Sequence, residues 1–248
     1  MLKEGTGEDF ANKGKIAKLF RFSSTHTDAK EQNVSLDDYI ERMKPEQEKI
    51  YYIATDSFLA AKNSPHLEIF RKKGIEVLLM HDRIDEWTIS HLNEYEGKQF
   101  VSVTQGDLNL GNLEDAEDKK AQEQATEEHK ALVERVKNVL SDKVAEVKVT
   151  MRLTDTPACI VAGEGDMPLQ MVKMLQAAGQ EVPDVKPVFE INPEHALINL
   201  IEKEQSEEQF SEWVDVLFDQ ALLAEQGQLD DPASFASKLN KLLLKLAH

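Results

Sequence analysis

Short apolar runs of strand length alternate with helical patterns through the first part of the sequence. The runs cover residues 50–53, 76–80 and 99–103, and a helical pattern over residues 57–73 separates the first two. Strands that alternate with helices are typical of a parallel sheet covered by helices. The sequence therefore predicts an α/β unit over residues 1–105, with a small, helix-covered, mainly parallel sheet.

Helix boundaries in this unit are also predicted from the sequence. Apolar residues recur at helical spacing over residues 8–22, which indicates one amphipathic helix. Ser35 is followed three residues later by Asp38, the pattern of a capping box at the start of a helix. Gly74 follows the helical pattern over residues 57–73 and is expected to end that helix.

The composition changes after residue 105. Residues 106–118 have an excess of acidic side chains and are predicted to form an exposed connector. Residues 119–248 combine strand and helix patterns, with the helices gathered at the C-terminus, which predicts an α+β domain. We therefore expect two domains joined by a short acidic segment.

Strand and helix limits in the second domain follow from local patterns. Strand patterns lie at residues 144–153, 158–162 and 185–191, and the Asp155-Thr156-Pro157 turn suggests that the first two form an antiparallel pair. A helix is predicted over residues 167–178. Three further helices are predicted to begin at Asn192-Pro193, at Ser206 and at Asp231-Pro232.

The charge and cysteine content limit the classes of partner. The 29 Lys and Arg residues are outnumbered by 46 Asp and Glu residues, giving a formal net charge of −17. A chain of this charge repels phosphate backbones and anionic lipid, so neither nucleic acid nor a membrane is expected as a partner. The single cysteine, Cys159, excludes an internal disulfide and suits a reducing compartment. With no secretion signal found, a cytoplasmic protein is predicted.

No motif for metal or nucleotide chemistry is found in the sequence. The seven histidines lack zinc-ligand spacing, and neither a Walker A nor a GxGxxG sequence is present. We therefore predict no catalytic residue, no metal and no cofactor for this chain. The alternative is a small α/β enzyme with a pocket near Asp56 and His81, at the carboxyl ends of the strands.

Trp87 and a methionine stripe are ambiguous from the residues alone. Trp87 follows the acidic residues Asp82, Asp85 and Glu86, and such a tryptophan marks either an interface or a helix start that is packed on a core. Because Asp85 and Glu86 also suit the first turn of a helix, their charges need no catalytic explanation.

The methionine stripe consists of Met167, Met171 and Met174, which share one helical face with Leu175. Methionine side chains are flexible and suit a surface that accepts many apolar shapes. A stripe of this kind is nevertheless more often part of a core, so the residue pattern alone favours burial.

The last two helical patterns have broad apolar faces. The faces consist of Phe210, Trp213, Leu217 and Ala221 in the first helix and of Phe235, Leu239, Leu242, Leu243 and Leu246 in the second. The first helix is acidic and the second is basic, which favours their packing on each other. Pairing two copies into a four-helix bundle would bury the remaining leucines, so a homodimer is predicted. The alternative is packing of both faces within the chain itself.

Eight segments together resemble one protein family. They are Leu2-Lys3-Glu4-Gly5, Arg21-Phe22-Ser23-Ser24-Thr25, Glu48-Lys49-Ile50-Tyr51-Tyr52, Ser64-Pro65-His66-Leu67-Glu68, Lys72-Lys73-Gly74-Ile75-Glu76-Val77-Leu78, Asp82-Arg83-Ile84-Asp85-Glu86, Arg152-Leu153-Thr154-Asp155-Thr156-Pro157 and Asp219-Gln220-Ala221-Leu222-Leu223-Ala224-Glu225. In this order they resemble the bacterial branch of the ninety-kilodalton heat-shock chaperone family, and the resemblance runs across nearly the whole chain.

The resemblance implies a domain assignment. Residues 1–105 would be the C-terminal α/β portion of the family's middle domain, and residues 119–248 its C-terminal dimerisation domain. The family's ATP-binding domain would lie before Met1. ATP and Mg²⁺, the cofactors of the full-length family, would then not be used by this chain, which would not be an enzyme on its own.

The resemblance also implies where partners bind. In the family, client protein contacts a patch of the middle domain and an amphipathic helix of the C-terminal domain, and two protomers join through a four-helix bundle of their last helices. The client-binding residues would be Glu86, Trp87, Met167, Met171, Met174 and Leu175. The resemblance thus favours exposure of the methionine stripe.

These observations predict a homodimeric chaperone that binds partly unfolded client proteins without hydrolysing ATP, with co-chaperones as further partners. Besides the small α/β enzyme, the other alternative is a purely structural dimerisation module. In that module Trp87 and the methionines would be buried.

Overall fold

The computed structural model describes residues 3–9, 11–106, 108, 110–114, 116–163, 165–177, 179–180, 182 and 185–246. The chain divides into two units, the first formed by residues 1–104 with 108–114 and the second by residues 105–107 with 115–248. None of the helices in the described residues is long and apolar enough to cross a membrane.

The first unit contains a five-stranded sheet and several short helices. Its elements are α1 (Gly5–Glu8), α2 (Lys13–Ala17), β1 (Ser23–Ser24), α3 (Leu36–Arg42), β2 (Lys49–Ala54), α4 (Phe58–Lys62), α5 (Glu68–Lys73), β3 (Leu78–Met80), α6 (Asp85–His91), β4 (Glu94–Tyr95) and β5 (Lys98–Ser102), with 3₁₀ turns at Pro65–Leu67 and Gly111–Leu113.

The strand order of this sheet is β1-β3-β2-β5-β4, with β2 at the centre. The strands β3 and β5 run parallel to β2, and Tyr52 lies opposite Leu78 while Ile50 lies opposite Phe100. The two-residue strands β1 and β4 are antiparallel to their neighbours. The prediction of a mainly parallel sheet is therefore right for the three inner strands, and the sheet as a whole is mixed.

Both faces of the central strand are buried. Ile50 and Tyr52 face one apolar cluster, which includes Tyr39 of α3, and Tyr51 and Ile53 face a second one. Successive residues of a strand point to opposite faces, so a strand covered on both sides is a continuous apolar run. This is why residues 50–53 are recognisable as a strand from sequence.

The predicted helix over residues 8–22 is wrong. The structure has two short helices, α1 and α2, and Phe22 is extended and forms an antiparallel bridge with Val34. Between the helices, the carboxylate of Asp9 accepts from the backbone N–H of Asn12 and from its side-chain amide. Such local side-chain bonds compete with the helical ladder. Phe10, a residue of the predicted apolar face, lies outside the described residues.

The predicted helix over residues 57–73 is also interrupted. α4 ends at Lys62, and Ser64 adopts an extended conformation before Pro65, which begins a 3₁₀ turn. A residue that precedes proline is disfavoured in the helical region, so the helix cannot run through this point. The glycine stop is confirmed, since Gly74 ends α5 with a φ of +61°. The capping box of α3 is also confirmed, with the Asp38 backbone N–H donating to the Ser35 hydroxyl over 3.0 Å.

The second unit contains a three-stranded sheet and longer helices. Its elements are α7 (Ala116–Glu128), α8 (Lys130–Val139), β6 (Glu146–Val149), β7 (Ala158–Val161), α9 (Leu169–Ala177), β8 (Val188–Ile191), α10 (Ala196–Glu202), α11 (Glu207–Gln226) and α12 (Pro232–Leu246). Helices α8 and α11 pack on the sheet and share one apolar core with it.

The predicted antiparallel pairing of the strands around residues 144–153 and 158–162 is wrong. β8 lies between β6 and β7, parallel to the first and antiparallel to the second. All four residues of β8 and of the edge strand β7 are buried, whereas Glu146 of β6 is exposed. Burial alone therefore does not distinguish the central strand from its neighbour β7, and the strand order is not readable from the residue pattern.

Helix starts in the second unit were predicted with mixed success. α10 does not begin at Asn192-Pro193, because the Asn192 side chain accepts from the Glu194 backbone N–H and forms a turn, and His195 caps the helix by accepting from the Leu197 N–H. The prediction for α11 is confirmed, with Ser206 as its N-cap. α12 begins at Pro232 as predicted.

Candidate interaction surfaces

Trp87 lies on α6 and is half-buried. Its indole stacks on the His91 imidazole one turn later, with 4.2 Å between the ring centroids and 36° between their planes. The benzo end of the indole lies against Gly7 of α1. Trp87 is therefore packed against its own unit, with part of its surface open to solvent.

Acidic residues at the start of α6 are held by Lys3, which lies before α1. Lys3 Nζ lies 2.7 Å from Asp82 Oδ2 and 2.5 Å from Asp85 Oδ1. Burial tends to raise the pKa of Asp82, but Lys3 holds it below its ordinary value. For Asp85, which is almost fully buried, burial raises the pKa in spite of Lys3. This pairing ties the chain before α1 to the first turn of α6.

Glu86 differs from these two carboxylates because no cation is paired with it among the described contacts. Its side chain is half-buried, and burial, followed by the charge of Asp85, raises its pKa to about 7. A carboxyl group with this pKa is partly protonated near neutral pH. The first turn of α6 thus presents a partly protonated carboxyl group at the residue before Trp87.

The methionine stripe lies at the start and on one face of α9. Met167, Met171 and Leu175 are half-buried, and the side chain of Met174 lies outside the described residues. Leu169, which points to the opposite side of the helix by its spacing, packs on the apolar core of the second unit. α9 is therefore anchored through one face, and its methionine side is partly open to solvent.

The predicted dimer residues on α11 and α12 separate into two groups. Phe210, Leu217, Ala221 and Leu242 are buried within the chain itself. The others are Trp213, Phe235 and Leu239, which are half-buried, and Leu243 and Leu246, which are 53% and 58% exposed. Only the second group has substantial area left for a partner subunit.

Ion pairs join the two last helices as the charge pattern predicts. Lys238 lies 3.5 Å from Asp219, and Lys245 lies 2.7 Å from Glu212, which also accepts from Lys241. These pairs place the start of one helix beside the end of the other, so α11 and α12 are antiparallel. The pKa of Glu212 is held below its ordinary value by its hydrogen bonds to Lys241 and Lys245.

Exposed leucines are concentrated around these helices. Leu200, Leu223, Leu243, Leu244 and Leu246 are each at least 40% exposed. A groove of 380 Å³ is lined by residues of α10, α11 and α12 and of the segment between α10 and α11: Leu200, Lys203, Glu204, Gln205, Gln209, Trp213, Leu242, Lys245 and Leu246. This end of the second unit thus leaves several leucine side chains uncovered by the chain.

At the alternative enzyme site near Asp56 and His81, the hydroxyl beside His81 is not free to act as a nucleophile. His81 Nε2 lies 3.2 Å from the Ser23 hydroxyl, but that hydroxyl donates to the Lys30 carbonyl and is fully buried. Its proton is therefore committed to the backbone. Within the described residues, no three His, Cys, Asp or Glu side chains are grouped to hold a metal ion.

Sequence reasoning missed a buried ion pair in the second unit. Arg152 Nε lies 2.9 Å from Glu190 Oε2, and both side chains are less than a tenth exposed. Arg152 also donates to the backbone carbonyls of Gln105 and Gly106, over 3.1 and 2.8 Å. The available signal was Glu190 itself, because a charged residue within a short apolar strand requires a buried partner.

The Hsp90 protein family model matches residues 1–247, so the chain belongs to the Hsp90 family. Three bacterial relatives carry the name chaperone protein HtpG. Those of Colwellia psychrerythraea and Shewanella loihica are 61% and 62% identical over 99% and 98% of this chain. The relative from Pseudoalteromonas translucida is 58% identical over 100% of this chain. The chain spans 38–39% of the length of these relatives.

Proposed function

We propose that this chain is the client-binding and dimerising portion of an Hsp90-type chaperone, which holds partly unfolded polypeptides without hydrolysing ATP itself. The observation that carries the proposal is an identity of 58–62% with proteins named chaperone HtpG over nearly the whole chain. We assign residues 1–105 to the last α/β portion of the middle domain and residues 119–248 to the C-terminal dimerisation domain, with 106–118 as the acidic connector. The two compact units support the division into two domains, whereas residues 108–114 of the predicted exposed connector pack with the first unit, with Leu110 in its core.

The proposed client-binding residues are Glu86, Trp87, Met167, Met171, Met174 and Leu175. Partly exposed indole and thioether groups, those of Trp87, Met167 and Met171, suit this role because they offer apolar area without demanding one ligand shape. Apolar contact contributes about 25 cal/mol per Å² of buried area. Small patches of a few partly exposed side chains therefore give weak, sequence-tolerant binding. The net charge of −17 favours clients with basic segments.

We further propose a homodimer formed by α11 and α12 of two protomers as a four-helix bundle. Trp213, Phe235, Leu239, Leu243 and Leu246 would contact the partner, since they are the predicted interface residues with exposed area. The buried residues Phe210, Leu217, Ala221 and Leu242 would support the interface from within the chain. Burial of exposed leucines is the expected driving force for such a bundle.

The dimer proposal is tested by analytical ultracentrifugation. Leu243→Glu combined with Leu246→Glu places charges on the proposed interface and should give monomers, because both side chains are exposed and their replacement leaves the fold intact. Leu59→Glu is the matched control, since Leu59 is 66% exposed on α4 of the first unit. A wild-type protein that is monomeric, or a dimer that the double variant retains, would contradict the proposed interface.

ATP and Mg²⁺ are cofactors of the full-length family, and we assign no residue of this chain to them. Client binding by this chain should accordingly be the same with and without Mg·ATP. We place the protein in the cytoplasm, where unfolded clients and co-chaperones would be its partners.

The client-binding proposal is tested by fluorescence anisotropy of a labelled, permanently unfolded polypeptide. Wild-type protein should bind it, and a variant with Trp87→Arg and Met171→Ser should lose most of the affinity. Leu59→Ser is the control for the loss of an exposed apolar side chain elsewhere. Equal binding by the wild type and the first variant would place the client surface elsewhere. No binding by any of them would leave only the dimerisation role.

A further inference from the structure

Gly7 leaves space that the Trp87 indole occupies. A Cβ atom added at Gly7 would lie 2.5 Å and 2.7 Å from the Cη2 and Cζ2 atoms of the indole and 3.3 Å from Cδ2 of His91. Carbon atoms in contact are normally about 3.5–4.0 Å apart. Any side chain at this position would therefore collide with the benzo end of Trp87.

The backbone does not require glycine at this position. Gly7 lies within α1 and is absent from the residues with positive φ. Alanine is favoured over glycine within helices because glycine loses more backbone freedom. The close approach of the indole is therefore the feature of the structure that calls for glycine.

The contact between α1 and α6 is fixed at the start of both segments. Lys3 is held by Asp82 and Asp85, and Asp85 is buried at the first turn of α6. Thr6, next to Gly7, is also fully buried, and its hydroxyl donates to the Lys3 carbonyl over 2.8 Å. The clash caused by a methyl group at residue 7 would therefore be relieved by rotation of the indole, because the indole is the free end of a side chain.

We propose that Gly7 is a positioning residue for Trp87: it lets the indole lie against α1 and so sets how much of the ring a bound polypeptide contacts. This inference rests on the proposed client-binding function of Trp87. Displacement from α1 uncovers the face of the ring that Gly7 now covers. The residue at position 7 thereby tunes affinity for apolar and aromatic segments of an unfolded polypeptide.

Gly7→Ala tests the positioning step directly, and Gly14→Ala is its matched control. Gly14 lies in α2, where an added Cβ meets no atom within 4 Å. In a Trp213→Phe background, Trp87 is the sole tryptophan, because the sequence has two. Gly7→Ala should increase quenching of Trp87 by acrylamide by about twofold and shift its emission to longer wavelength, as expected for a more exposed indole. Gly14→Ala should leave both unchanged, and an unchanged signal in Gly7→Ala would overturn the inference.

Binding of a permanently unfolded polypeptide tests the functional consequence. Gly7→Ala should tighten binding by about fivefold, because a more exposed ring buries more apolar area on binding. Each additional Å² of buried apolar area contributes about 25 cal/mol. In a Trp87→Phe background, whose shorter ring leaves room for the methyl group, Gly7→Ala should have no effect.

The two levels of failure are distinguishable. If quenching rises but affinity is unchanged, while Trp87→Arg weakens binding, Gly7 does not control client contact and the inference fails. If Trp87→Arg also leaves binding unchanged, the proposed client role of Trp87 fails as well, even though the indole moves. Circular dichroism spectra and thermal midpoints of both glycine variants, matched to the wild type, show that each variant is folded.

Discussion

Removal of the Arg152 guanidinium should destabilise the second unit more than any exposed charge substitution. Arg152→Met keeps an apolar side chain of similar length but leaves the Glu190 carboxylate buried without a cation. Breaking a buried ion pair in this way costs about 3–5 kcal/mol. The carbonyls of Gln105 and Gly106 also lose their donors, at about 0.5–1.5 kcal/mol for each hydrogen bond. We therefore expect a loss of about 4–8 kcal/mol.

This loss is measurable unit by unit because each unit contains one tryptophan. In a Trp87→Phe background, Trp213 reports on the second unit alone. A urea titration should show the midpoint of Arg152→Met lowered by about 2–4 M, for a slope of about 2 kcal/mol per M. The slope itself should be unchanged.

Two further variants test whether the loss comes from the unpaired Glu190 carboxylate. Arg152→Met with Glu190→Leu removes both charges and should recover most of the lost stability, because an apolar pair of similar volume replaces a buried ion pair at little cost. Lys148→Met breaks an exposed pair with Glu146 on β6 and should cost less than about 1 kcal/mol. A loss of under about 1 kcal/mol in Arg152→Met, or a double variant no more stable than the single one, would refute the account.

Three other predictions follow from single side chains. Glu86 has its pKa raised from 4.5 to about 7 in the folded protein, so the folded state binds a proton more tightly and the free energy of unfolding falls as the pH rises between these values. Glu86→Gln should remove this contribution of Glu86 to the pH dependence of the free energy of unfolding. Above pH 7 the variant should be more stable than the wild type, by at most about 3 kcal/mol, in urea titrations followed at Trp87. An unchanged pH dependence would contradict the raised pKa of Glu86. Burial and the Glu190 charge raise the pKa of the Cys159 thiol, which should therefore react with iodoacetamide only as fast as the second unit unfolds; rapid alkylation of the native protein would show otherwise. The Gln122 amide donates to the Val149 carbonyl over 2.8 Å and accepts from the Met151 N–H over 3.0 Å. Because α7 buries no side chain of its own, Gln122→Ala should speed hydrogen exchange throughout α7. Exchange in α8 should stay the same.

Features set by neighbouring residues were predictable from the sequence. The Ser35 capping box, the Gly74 stop and the Ser206 cap each depend on hydrogen bonds or backbone angles within a few residues. The buried run at residues 50–53 was recognisable because both faces of a central strand are covered. Local chemistry and burial therefore gave the right elements in these places.

Features set by distant residues were not predictable. The turn at Asp155-Thr156-Pro157 suggested a hairpin, but β8, which comes about 30 residues later, separates its two strands. At residues 8–22, the helical spacing of apolar residues was overridden by the side-chain bonds of Asp9. Sequence periodicity does not contain either of these competing interactions.

For the candidate surfaces too, the local pattern was predictable from the sequence and the tertiary contacts were not. The spacing of Met167, Met171 and Leu175 predicted a shared face, but only the packing of Leu169 on the core indicates which side of α9 is open. The environment of Trp87 depends on Gly7, which is 80 residues away along the chain. The exposure of an apolar residue is decided by such tertiary contacts, and the residue pattern alone could not supply it.

Hydrogen–deuterium exchange of the wild-type protein, with and without a permanently unfolded polypeptide and in the absence of ATP, tests the central claim most directly. We expect protection on binding in α6, around Trp87, and in α9, around Met171, with α4 unchanged. Protection at other elements, or none at polypeptide concentrations that saturate the anisotropy signal, would contradict the proposed client-binding surfaces.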